Sequence, residues 1–152
     1  MQWQHLHFKQ LDINTLYEII KLRIDVFVVE QCCYYPELDN LDRHPDTLHV
    51  FAYEQNQLAA YLRCLAPGVV YPNMPAIGRV VTTQSQRGKG LGHQLIEQGI
   101  SACQQHWPNC DIKMSAQEHL QSYYQQHGFN TVGQAYLEDD IPHIGMIKPA
   151  KQ

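Results

Sequence analysis

SQRGKGLGHQL, residues 85–95, places three glycines, Gly88, Gly90 and Gly92, at alternate positions beside two cations, Arg87 and Lys89. An apolar run, AIGRVVTT (76–83), leads into it, and Leu91, Leu95, Ile96, Ile100 and Cys103 mark one face of a helix leading out. A strand that enters a glycine turn and then a helix points several backbone N–H groups at one spot, and the helix dipole favours an anion there. Glycine lets that anion approach the backbone closely because no Cβ intervenes. With Arg87 and Lys89 at the rim, a phosphate or pyrophosphate is the natural occupant. The same glycines would also serve an ordinary tight turn, so the wider sequence has to decide.

Two familiar phosphate motifs do not fit. A nucleotide-binding P-loop needs G-x-x-x-x-G-K-[ST], but Gly90 is followed by Leu91 and Gly92. The dinucleotide fingerprint G-x-G-x-x-G fails because the third glycine, Gly92, comes one position early. What the stretch does spell is R-x-x-G-x-G, carried by Arg87, Gly90 and Gly92.

The chain of 152 residues is long enough for one domain, 1–152, with its own core and too short for two ordinary ones. A net charge of -4 excludes a broad basic face for nucleic acid, so a polyanion must be met by a local device such as the turn. Five cysteines without framework spacing read as reduced thiols. No apolar run approaches the ~20 residues that span a bilayer, and MQWQHLHFKQ (1–10) has no cationic segment followed by an apolar core, so no signal peptide is expected. The expectation is a cytoplasmic protein with no membrane partner. Nine histidines include no H-x-x-x-H pair, and there is no C-x-x-C, so no metal site is expected.

Outward from the turn, the pattern predicts a mixed α/β sheet. QWQHLHF (2–8) alternates as a strand. In LDINTLYEIIKLRIDVFVVEQ (11–31), Thr15 and Glu18 have capping-box spacing, which predicts a helix starting near residue 15. Its apolar positions spread widely after Leu22, as if it were covered on more than one side. CCYYPELDNLDRHPD (32–46) reads as a long loop. TLHVFAYEQNQLAAYLRCLA (47–66) reads as two strands around Gln55-Asn56-Gln57. CDIKMSAQ (110–117) predicts a strand, EHLQSYYQQHG (118–128) a helix stopped by Gly128, and FNTVGQAYLED and PHIGMIKPA two last strands. Arg79 is odd in an apolar strand and needs a carboxylate partner if buried.

With the turn motif in this setting, the chain resembles the GCN5-related N-acetyltransferase (GNAT) superfamily. That family's pyrophosphate turn for acetyl-CoA reads [Q/R]-x-x-G-x-[G/A], and YYQQHGF (123–129) looks like its FYxxxGF segment. LRIDVFVVEQ, GRVV, SAQEHLQSYYQQHGF and EDDIPHIGM resemble the bacterial ElaA-like branch, so the likeness covers essentially the whole chain. It implies a mostly antiparallel sheet flanked by helices, with splayed strands at an acyl-CoA cleft. Val80, Val81 and Thr82 would run beside the pantetheine, and Arg87, Gly88, Lys89, Gly90 and Gly92 would hold the pyrophosphate. Gln117 stands where the family commonly has a cofactor-contacting asparagine, and Tyr124 where a tyrosine protonates the departing thiolate.

The activity implied is transfer of an acetyl group from acetyl-CoA, as cosubstrate, directly to an amine acceptor, small molecule or peptide; a homodimer is allowed. Direct transfer needs a base for the amine, and Glu30 and His143 are the two candidates. Cys32, Cys33 and Cys64 read as small packing residues, because nothing beside them supplies the base that a nucleophilic thiol needs. The acids of PELDNLDRHPD (36–46) could recruit a cationic amine. The competing reading is a noncatalytic acyl-CoA-binding regulatory module.

Overall fold

A computed structural model describes residues 1–151. Seven strands form one sheet in the order β1-β2-β3-β4-β5-β7-β6, antiparallel except for β4 beside β5. The strands are β1 (Gln2–Leu6), β2 (Leu48–Glu54), β3 (Gln57–Leu65), β4 (Ala76–Thr82), β5 (Ile112–Gln117), β6 (Asn130–Glu138) and β7 (Ile141–Lys148). Three α-helices accompany them: α1 (Ile13–Arg23), α2 (Leu91–His106) and α3 (Gln121–Gln125). The mixed α/β sheet expected from the sequence is what forms.

Strands β2 and β3 are the centre, and successive side chains serve opposite faces. Val50 and Leu62 pack with Leu95, Ile96 and Ile100 of α2, whereas Phe51, Tyr61 and Val81 pack with Ile19 of α1. Both faces being covered explains why these strands read as continuous apolar runs.

Several boundaries differ from the sequence reading for local reasons. Helix α1 starts at Ile13 because Asp12 is its N-cap, accepting from the Thr15 amide at 2.7 Å. Thr15 is therefore the third helical residue and not the cap. After Arg23 the chain does not stop but widens into a π-helix, Ile24–Glu30, with the Gln31 amide bonded to the Val26 carbonyl at 2.9 Å. That rewinding underlies the wide apolar spread after Leu22. The β2–β3 turn is Gln55-Asn56 alone, both at positive φ, as a two-residue primed hairpin requires, and Gln57 already pairs with Glu54. Asp139-Asp140 makes the same kind of turn between β6 and β7. The helix read at 118–128 is a single 3₁₀ turn, Glu118–Leu120, followed by the short α3. Gly128, at φ +91°, ends it with the Phe129 amide reaching back to the Tyr124 carbonyl.

Candidate active site

Strands β4 and β5 share one register pair, Ala76 with Lys113, fixed by the Lys113 amide donating to the Pro75 carbonyl at 3.0 Å. Beyond it they have no further pairing, so the facing edges lose their ladder partners. β4 is also bulged: Tyr61 pairs with Val81 but Arg63 with Gly78, leaving Arg79 and Val80 opposite Leu62 alone. The resulting cleft holds about 560 Å³ and is lined by Val80 on one side and Met114 to Gln117 on the other. Tyr35, Tyr124 and His143 also face it. Val81 packs its side chain against α1, which bears on the side chain and not on the backbone contact expected of this strand.

At the head of α2 the sequence-expected turn is present. Gly88 and Gly90 lie at φ +80° and +79°, where L side chains are strained, and Gly90 is the N-cap with no side chain to cap the helix. The amides of Leu91, Gly92 and His93 have no intrahelical acceptor, as in any first turn, so they are open to an anion. Gly92 has a separate reason to be glycine: a Cβ there would collide with the Tyr123 hydroxyl. Its place in the motif therefore also serves the packing of α2 against Tyr123.

The two cations behave differently. Lys89 makes no ion pair among the described residues and borders a groove beside the turn with Gln86 and Gln94. Arg87 is held by Glu30, Nη1 to Oε2 at 2.7 Å and Nη2 to Oε1 at 3.1 Å. Hydrogen bonding from Arg87 lowers the proton affinity of the Glu30 carboxyl. Glu30 also does not line the cleft. It is poorly placed to be the base.

His143 is better placed. Its Nδ1 lies 2.7 Å from the Ile141 carbonyl, which can only accept, so Nδ1 carries the proton. Nε2 lies 3.3 Å from Glu138 Oε2, which can bond it only when the ring is an imidazolium; the neutral ring offers Nε2 as an acceptor once the exposed Glu138 side chain turns aside. Tyr124 is buried and packs edge-on against Tyr123 and Phe129, with no hydroxyl partner among the described residues. Burial pushes its phenol well above the usual range, which keeps it a proton donor. Gln117 ends β5, and its amide donates to Gln31 at 3.3 Å. Cys33 also lines the cleft, but burial raises its thiol, so it is not a ready nucleophile. Cys32 is exposed at φ +56°, its thiol reaching the Val29 carbonyl at 3.8 Å, so it is not the buried packing residue expected.

One feature of the sequence has a different use in the fold. Glu37, Asp39 and Asp42 of the acidic loop do not wait for a cationic amine; they are bound by Arg23, Arg63 and Arg79. Arg23 bonds Glu37 at 2.7 Å and Asp42 at 2.8 Å, Arg63 bonds Asp42 at 3.0 Å, and Arg79 bonds Glu37 at 2.9 Å. His49 donates from Nε2 to the Asp42 carbonyl at 3.0 Å, so its Nδ1 accepts from the Tyr61 hydroxyl at 2.7 Å. Glu37 Oε2 and Arg63 Nε are buried without partners. The sequence signal for this network was the presence of arginines inside two apolar strands, at positions 63 and 79.

The turn, the splay and the cleft can be set beside known proteins. Residues 21–150 match the family model described as an acetyltransferase (GNAT) domain. The chain belongs to the GNAT acetyltransferase family. ElaA of Escherichia coli is 39% identical over 152 residues, covering 100% of this chain and 99% of that protein. Its crystal structure superposes with a TM-score of 0.91 over 97% of this chain and 98% of that one. The crystal structure of an acyl-CoA N-acyltransferase from Pseudomonas aeruginosa is 48% identical, with a TM-score of 0.92 over 97% of this chain and 98% of that one. As a GNAT member the chain has the fold of acyl transfer from CoA. Among the described residues no helix is long and apolar enough to cross a membrane, and no His/Cys/Asp/Glu cluster could hold a metal ion.

Proposed function

We propose that this GNAT protein transfers an acetyl group from acetyl-CoA to a primary amine. The observation that carries the reading is a proton donor, Tyr124, and a proton acceptor, His143, facing one cleft where β4 and β5 part. The pantetheine arm would run through that gap past Val80 and Thr82, with Gln117 at its far side. The open amides after Gly90, together with Lys89, would take the pyrophosphate, and Arg87 would join by exchanging Glu30 for a phosphate oxygen.

With the exposed Glu138 side chain turned aside, the amine, bound as ammonium, gives a proton to His143 Nε2, and Glu138 then pairs with the imidazolium. The freed nitrogen lone pair attacks the thioester carbonyl, so a C–N bond forms and the C–S bond breaks. Tyr124 protonates the leaving thiolate, the second proton of the attacking nitrogen passes through solvent to restore the Tyr124 phenol, and the proton on His143 is released to solvent. No enzyme nucleophile is needed.

Calorimetric titration with CoA, followed by acetyl-CoA turnover against a wide amine panel, tests this reading. Binding with turnover, and a fall in kcat for His143→Gln at unchanged CoA affinity, is the expected result. Tight binding with no turnover on any amine would replace the reading with a noncatalytic acyl-CoA-binding module.

A further inference from the structure

Arg79 is built in a way that an ion pair alone does not require. It is a non-glycine residue at φ +55° within a strand, a conformation strained for an L side chain that persists only where the surroundings impose it. The bulge it occupies turns its side chain toward the cleft wall. There the guanidinium is fixed from one side. Nε donates to Glu37 Oε1 at 2.9 Å, Nη2 reaches the Glu37 carbonyl at 3.4 Å and Asp39 Oδ2 at 3.5 Å, and the plane lies over the Tyr35 ring at 5.4 Å. Nη1 has no partner among the described residues.

The comparison with Arg23 sharpens the point. Arg23 spends all three nitrogens on Glu37 and Asp42 and is 1% exposed, outside the cleft. Glu37 already has that partner, and Asp39 is held by Arg63 through two nitrogens. Arg23 is shared by Glu37 and Asp42 and Arg63 by Asp39 and Asp42, so Arg79 is the third cation for three carboxylates, and it meets them through Nε and Nη2 alone. That leaves Nη1 of a fixed guanidinium, its side chain 20% exposed, in the same cleft as Tyr124 and His143.

We infer that Arg79 Nη1 anchors a substrate carboxylate in this cleft. The proposal rests on the acyl-transfer reading of the same site and gives it a substrate class. Glu138, Asp139 and His143 line the same cleft as Arg79, so it offers acids that suit an amine together with a guanidinium that suits a carboxylate. The carboxylate has two possible sources, an acceptor that carries both an amine and a carboxylate, or an acyl chain ending in a carboxylate.

The experiment separates them. In one arm, amino acids and their carboxamides compete as acceptors with acetyl-CoA; in the other, succinyl-CoA and butyryl-CoA compete as donors with a neutral amine. A charge-assisted contact predicts a kcat/KM preference of about 10-fold or more for the carboxylate in one arm. Arg79→Gln should collapse that ratio, and Arg79→Lys should keep part of it. Because a variant in this network can fail to fold, the wild-type protein is also melted with each carboxylate and its amide, with and without CoA. A larger upward shift for the carboxylate supports the anchor, even in the absence of turnover. No preference in either kinetic arm together with equal melting shifts overturns it, and so does an Arg79→Gln variant that keeps the full ratio. Failure of CoA to bind would instead remove the acyl-transfer reading and leave the acceptor-only melts to decide on Arg79.

Discussion

Replacing Asp42 by asparagine changes one charge in the most buried part of the molecule with almost no change in shape. Both Arg23 Nη1 and Arg63 Nη1 converge on the same oxygen, Oδ1, at 2.8 and 3.0 Å, so an asparagine Oδ1 can accept both bonds in place. What it cannot supply is the charge. A hydrogen bond to an ionised group contributes about 1.5–3 kcal/mol and is roughly twice as strong as a neutral one, so losing half of two such bonds costs about 1.5–3 kcal/mol. The variant also leaves three guanidiniums facing two carboxylates in a site where breaking a pair outright costs about 3–5 kcal/mol. The expected loss is therefore about 3 kcal/mol. With a urea m-value of about 2 kcal/mol/M, the unfolding midpoint falls by about 1.5 M.

The pH dependence has a definite sign. Burial raises the Asp42 carboxyl, but hydrogen bonding and charge from Arg23, then Arg63, outweigh it and hold the folded value below the ordinary one. A lowered carboxylate contributes stability that is present above the unfolded value of about 3.9 and is lost as pH falls through the folded value. The gap between wild type and Asp42→Asn should be full at neutral pH and narrow below about pH 4. Urea titrations at several pH values read both quantities. A midpoint within about 0.2 M of wild type at neutral pH, or a gap that persists unchanged at about pH 2, would refute the reasoning.

Three other perturbations report on the site. Gly90→Val forces a branched side chain to φ +79°, which costs about 1–2 kcal/mol of stability, and CoA affinity should fall further still because the cap amides are screened; unchanged affinity in calorimetry would end the pyrophosphate assignment. Tyr124→Phe should lower kcat about 10-fold at constant CoA affinity, since CoA is a reasonable leaving group; an equal loss in affinity would make the hydroxyl a binding group only. Glu30→Gln releases Arg87 from an exposed pair worth at most about 1 kcal/mol, so CoA should bind up to about 5-fold more tightly with turnover retained; lost turnover at unchanged affinity would restore Glu30 as the base.

The parts of this protein legible in the sequence are those whose causes are local. Gly88 and Gly90 announce positive φ, Asn56 announces a hairpin, and Gly128 announces a helix end, because in each case the residue meets a requirement of its own backbone. The parts that were not legible depend on partners far away in the chain. The sequence marked Arg79 as needing a carboxylate, but Glu37 lies 42 residues upstream in what reads as an unstructured acidic loop, and only the fold brings them together. Glu30 and Arg87, 57 residues apart, likewise look like a free acid and a free phosphate ligand until they meet. This also explains why the base was ambiguous. Glu30 and His143 carry equal promise as residue types, and what separates them is that Glu30 is spent on Arg87 outside the cleft, while His143 lines the cleft with Nδ1 fixed by a carbonyl and Nε2 facing only an exposed carboxylate. Chemistry at a site is set by the partners each group has left unused, and that is a property of the fold rather than of the string.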